Sequence, residues 1–189
     1  MNLANKEGIL NALEYIHKEV NQTYEGLEPD ILVKRPDPET WSAADHLRHL
    51  IKCVRPLSTA LALPKLALKA RFGMTKQDAR SFDEVVSLYK DRLARRQKAG
   101  DYAPNLKTLP DSLEYKQELI ENWQEVSGKL MRILASWNEK ALDNHSLPHP
   151  ALGKLSIREM LYWDIYHNWH HLSNVQTRLG LDISTKPSS

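Results

Sequence analysis

The chain of 189 residues is poor in several features that would otherwise assign it to a class. It has one cysteine, Cys53, so no internal disulfide can form, and that usage fits a reducing compartment. No apolar run approaches the ~18 residues of a membrane span, and the opening MNLANKEGILNALEY has the pattern of neither a signal peptide nor a span. These absences predict a cytoplasmic protein with no membrane partner. An excess of one charge is missing as well. The 26 Lys and Arg stand against 24 Asp and Glu, a net charge of +2, which gives no bulk electrostatic case for a nucleic-acid partner. The most basic stretch, residues 65–80, has Phe72 as its only aromatic, whereas a nucleic-acid face interleaves cations with stacking rings. That stretch reads as a solvated connection. There is also no internal repeat, no low-complexity tract and no persuasive strand pattern.

What is present is the composition of an ordinary globular protein, 41% hydrophobic and 26% charged, in a length that suits one domain spanning residues 1–189. Five Trp and seven Tyr against two Phe favour boundary positions, where a ring is buried and its polar tip finds a partner. Apolar residues recur at helical spacing in four long stretches. Asn5 caps the first, which runs through Glu25 on Ile9, Leu13, Ile16 and Val20. Pro29, Pro36 and Pro38 make residues 29–40 a connection. Ser42, with Asp45 three residues on, opens a second helix carrying Leu47, Leu50, Ile51, Val54, Leu57 and Leu61. Pro56 is expected to kink or shorten that helix, and Pro64 to stop it.

Residues 64–81 are expected to be irregular, broken at Gly73. A shorter helix starts at Ser81 or Asp83 and runs to about Ala99, and Gly100 to Pro110 is a loop. Asp111 or Ser112 caps a long helix to about Lys140. The last helix opens at Ser156 in an S-x-x-E capping box with Glu159 and closes at Gly180, after which residues 182–189 are expected to fray. The sum is an all-α fold, a four-helix bundle with long crossover connections and one additional shorter helix.

His167 and His171 lie four apart on the last helix, so their side chains share a face. They sit on the flank of the stripe formed by Leu161, Ile165, Leu172, Val175 and Leu179. The pair alone is a weak signal, because histidines at this spacing are also ordinary boundary residues. His49 occupies a comparable flank of the second helix. If those helices are neighbours, three imidazoles converge with room for water, the arrangement of a catalytic metal site rather than a closed structural one. By ligand type such a site fits Zn, Ni, Cu or Fe.

His46 and His170 stand beside these residues and could replace one of them in a shifted register, or be hydrogen-bonded or solvent-facing. Cys53, one turn from His49, is either a fourth soft ligand or a small buried hydrophobe. Asp45 and Asp164 are candidates to accept an imidazole N–H, against the plainer role of solvated carboxylates. Trp163 and Tyr166 could line a cleft or pack in the core, and Arg178 could hold a substrate carboxylate or lie on the surface.

Three segments in order then make the chain familiar. They are Trp41-Ser42 followed by His49-Leu50, then Pro148-His149-Pro150 with Leu152-Gly153-Lys154-Leu155-Ser156, then His167-x-x-x-His171. With these, the chain resembles the DinB-like superfamily of metal-binding four-helix bundles, from the first helix to about Leu181. In that family a histidine at the His49 position and an H-x-x-x-H pair on the last helix bind one divalent metal, often zinc or nickel. The resemblance therefore implies His49, His167 and His171 as metal ligands. One departure is that Leu172, Ser173 and Asn174 follow the last histidine, where Arg-Gly-Gln is common. Some members are thiol-dependent S-transferases or isomerases. The resemblance thus implies a small-molecule enzyme in which the metal activates a low-molecular-weight thiol to attack an electrophile. It leaves open a non-catalytic metal- or small-molecule-binding, stress-related bundle protein, and a homodimer. His149, held between two prolines, is expected to be a structural entry to the last helix.

Overall fold

The computed structural model describes residues 3–75, 79–95 and 102–188. Along the chain run α1 (Lys6–Glu25), α2 (Pro29–Val33), α3 (Ala43–Leu61), α4 (Lys65–Phe72) and α5 (Phe82–Ala94). They are followed by α6 (Leu113–Ala135), α7 (Glu139–Asn144), β1 (Ser146–His149), β2 (Gly153–Ser156) and α8 (Ile157–Leu179). The starts of the long helices follow from side-chain caps. Asn5 accepts from the Gly8 N–H at 2.8 Å, and Ser42–Asp45, Ser81–Glu84 and Ser156–Glu159 form reciprocal capping boxes.

Helices α1, α3, α6 and α8 build the bundle. Both α6 and α8 pack against α1 and against α3, so α1 and α3 occupy opposite corners. Consecutive long helices on a diagonal cannot be joined by a tight hairpin. The long connections, 26–42 between α1 and α3 and 136–156 between α6 and α8, carry the chain across. Helix α5 lies against α8, which is therefore covered on several sides; residues 155–168 contain no exposed or half-exposed position. A helix buried all round belongs at the centre of a fold. The core includes Leu13, Ile16, Leu50, Val54, Trp123, Leu130, Leu161 and Ile165.

Several expectations need correction. Residues 29–40 contain α2, because a proline in the first helical turn lacks only an N–H that would go unpaired there anyway. Residues 64–81 contain α4, which buries only Leu68 and ends with Gly73 at φ 75°. Pro56 sits inside α3 without ending it. Helix α6 stops at Ala135, and Asn138 caps the separate α7, so the expected run to Lys140 is two helices. The remainder of the α5 run expected beyond Arg95 lies outside the described residues.

The loop before α8 holds a two-stranded antiparallel ribbon that pairs Leu147 with Leu155 and His149 with Gly153. Pro148 is tolerated because each strand of a two-stranded ribbon keeps one free edge. The segment expected to fray is pinned at Ser184, which is buried, donates to Glu19 Oε2 at 2.6 Å and accepts from Trp169 Nε1 at 3.0 Å. Among the described residues no helix is long and apolar enough to cross a membrane.

Candidate metal centre

The two helices that carry the paired histidines are each locked at the N-terminus. Asp45 serves the Ser42 cap and also accepts from Arg35 Nε at 2.7 Å and Arg48 Nη1 at 3.1 Å. Glu159 serves the Ser156 cap and accepts from Arg80 Nε at 2.7 Å. From these fixed starts α3 projects His46 and His49, and α8 projects His167 and His171, into the seam between them.

There His49, His167 and His171 come together. One ligand nitrogen from each lies within 4.8 Å of the others, and Nε2 of His49 is 3.0 Å from Nε2 of His167. The Nδ1 of His49 donates to the carbonyl of Tyr102 at 2.8 Å, while Nδ1 of His171 is 2.8 Å from Nδ1 of His46. Two indoles wall the group. Trp163 stacks on His167 with centroids 4.5 Å apart, and Trp41 lies nearly parallel to His171 at 5.8 Å. All three histidines are buried, and burial lowers the pKa of each, most strongly for His167 and His171. For His49 the hydrogen bond to Tyr102 works against that shift. Near neutral pH the rings are therefore uncharged, and each has one nitrogen without a proton.

The other candidates separate clearly. The carboxylate of Asp45 is taken up by its cap and two arginines, and neither oxygen of Asp164 has a hydrogen-bond partner among the described residues, so neither orients an imidazole here. Cys53 Sγ is 3.7 Å from Nε2 of His49, but burial, then the charge of Asp164, push its thiol pKa upward. It stands outside the convergent ligand set. His170 stacks on Tyr166 and stays half-exposed at the cavity wall. Arg178 donates to the Trp41 carbonyl. His149 accepts from the N–H groups of Ala151 and Leu152 at 3.1 and 3.0 Å, which makes it an organiser of the turn between β1 and β2.

Three contributors escape a reading of residue types: the Trp41 cover, the Tyr102 carbonyl and the partnership of His46. Trp41 left a trace as an aromatic directly ahead of the Ser42 cap, and His46 as an imidazole beside His49 whose partner the sequence does not name.

The triad opens on a cavity of about 1120 Å³. This is just above the roughly 300–1,000 Å³ usual for small-molecule sites. Its walls are mainly apolar and aromatic, with Leu57, Phe72, Leu93, Leu147 and Trp163 among them.

A family model described as the DinB superfamily matches residues 12–175. Among solved structures the chain is similar to YfiT from Bacillus subtilis, described as a probable metal-dependent hydrolase with an unusual four-helix bundle topology. That likeness has a TM-score of 0.54 and 14% identity and covers 94% of this chain and 89% of that one, so it is a likeness of fold. No curated protein matches the chain.

Proposed function

The chain belongs to the DinB superfamily, and from that premise we propose that it is a metal-dependent enzyme acting on a small molecule, with His49, His167 and His171 holding one divalent ion. The observation that carries the proposal is the 3.0 Å approach of two Nε2 atoms. His49 commits its ring proton to Tyr102, so a bare nitrogen faces a second nitrogen in a buried place. Only a proton from His167 or a cation between them satisfies that arrangement. The donor set fits a divalent ion: three neutral imidazoles supply the ligand chemistry of catalytic zinc, and nickel takes the same donors. Nitrogens about 2.0–2.1 Å from one ion lie no more than about 4 Å apart. The His49–His167 pair meets that limit, and the set as a whole, within 4.8 Å, needs only small side-chain adjustment.

A bound ion supplies the Lewis acidity that makes a coordinated thiol or water nucleophilic near neutral pH. The chain's own residues do the remainder. Tyr102 fixes the tautomer of His49, Trp41 and Trp163 hold the imidazole planes and exclude water, and the apolar wall receives the body of the substrate. We take a low-molecular-weight thiol as the nucleophile, because a thiol activated at the metal needs no separate base. Among the described residues Glu39 is the only carboxylate lining the cavity, and it is exposed, while His149 and His170 are the imidazoles on the wall besides the triad.

The test is elemental analysis of untagged protein beside His49→Ala/His167→Ala, followed by incubation of zinc- or nickel-loaded protein with a thiol and an alkylating electrophile. Near one metal per chain, absent from the double variant, is expected, together with thiol-dependent consumption of the electrophile. No metal in either protein after supplementation removes the metal reading. Turnover of an ester without added thiol would put water in the place of the thiol.

A further inference from the structure

We infer that His46 is a positioning residue for this site: its Nδ1 accepts the Nδ1–H of His171 and so presents the bare Nε2 of His171 to His49 and His167. The inference rests on the metal reading above and adds a residue to it. The contact is Nδ1 to Nδ1 at 2.8 Å between two buried rings on different helices. Two ring nitrogens at that distance share one proton, so one ring donates and the other accepts. If His46 kept the proton, a neutral His171 would carry its own on Nε2, inside the triad. With His171 as donor, that nitrogen is free to bind.

The fold places His46 for this role. It lies three residues before His49, so one face of α3 supplies both a ligand and the partner of a ligand on α8. Trp41 meets His46 edge-on at 5.3 Å and lies parallel to His171 at 5.8 Å, which keeps water from both rings. The other nitrogen of His46, Nε2, has no hydrogen-bond partner among the described residues, so the side chain's polar engagement is with His171. A main-chain carbonyl does the same work behind His49. Here an imidazole takes the place that a carbonyl or carboxylate usually fills behind a metal-bound histidine.

The experiment compares zinc affinity, by competition with a chromogenic chelator, in the full-length native chain, His46→Leu and His46→Asn. Leu fills the space without an acceptor, whereas Asn offers Oδ1 close to where Nδ1 lies. The Leu variant is expected to bind zinc about 10–100-fold more weakly, and the Asn variant to recover most of that loss. A Leu variant that binds as tightly as the native chain, or an Asn variant as weak as Leu, overturns the inference and leaves the metal reading standing. Nitrogen-resolved NMR of the metal-free native chain decides it independently. A proton on Nδ1 of His171 supports the inference and one on Nε2 overturns it. That readout holds even if the Leu variant does not fold, or if the chain takes up no zinc, an outcome that would remove the metal reading by itself.

Discussion

The three imidazoles of the triad differ in what stands behind them. His49 has the Tyr102 carbonyl and His171 has His46, whereas Nδ1 of His167 has no partner among the described residues and relies on the stacked face of Trp163 for its orientation. Cys53 is the remaining soft atom nearby, at 3.7 Å from Nε2 of His49. A cysteine ligates as its thiolate, and burial drives this thiol the other way. Cys53→Ala is therefore expected to leave zinc affinity within a few-fold of native in the same chelator competition. A loss as large as that from removing a histidine would make Cys53 the fourth ligand. Of the triad, His167 and His171 were readable as a pair from their i, i+4 spacing and the flank of an apolar stripe, whereas their union with His49 was what the family resemblance implied. Asp45 misled for the converse reason: its Ser42 cap is readable in the spacing, but nothing there reveals that Arg35 and Arg48 also occupy its oxygens. A main-chain acceptor such as the Tyr102 carbonyl has no residue-type signature at all.

Among the elements, the long helices were legible from their caps and stripes, while the short ones were not. Helix α4 buries one side chain, too few for a stripe, and β1 and β2 are four residues each, with Pro148 among them. Such elements form because neighbours supply the packing that their own pattern cannot. Helix backbone requirements can be tested with two glycines of opposite character, one at a terminus and one inside. Gly180 ends α8 at φ 66° with nothing within 4 Å of a Cβ, so Gly180→Ala meets only the backbone penalty. It is expected to destabilise the fold by about 1 kcal/mol. Gly128 lies inside α6, where an added Cβ meets only the far end of the Arg132 side chain. Gly128→Ala is expected to stabilise by about 0.5–1 kcal/mol. Urea-unfolding midpoints read both, and two shifts of the same sign would contradict this account of the two glycines.

For the whole molecule, the consequence of burying so many imidazoles is a fold that fails in acid. Burial lowers His17 to about 4, His46 to about 3 and His149 to about 4. Their folded pKa values lie below the unfolded value of about 6.5. The stability they contribute is therefore complete above that pH and is lost as the pH falls towards the folded values, because the unfolded chain takes the protons first. At pH 5 each of the three has lost about 2 kcal/mol. Asp164 acts in the opposite sense: burial raises it to about 7, so the folded chain keeps a proton that the unfolded chain has released. Between pH 7 and 5 that returns about 2 kcal/mol. The three histidines outweigh it, and the lowered values of His49, His167 and His171 add to the loss. Set against a domain stability of about 5–15 kcal/mol, this predicts a melting temperature that falls steeply below about pH 6.5. Zinc at a hundred times its Kd would add about 2.7 kcal/mol at neutral pH, and the gain would fade in acid as protons compete for the same nitrogens. Circular-dichroism melts with and without zinc are expected to show an upward shift at neutral pH that shrinks by about pH 5, with no shift at either pH in His49→Ala/His167→Ala. An equal shift in the double variant would place zinc elsewhere on the molecule. A melting temperature indifferent to acid would mean that the buried histidines do not limit the fold.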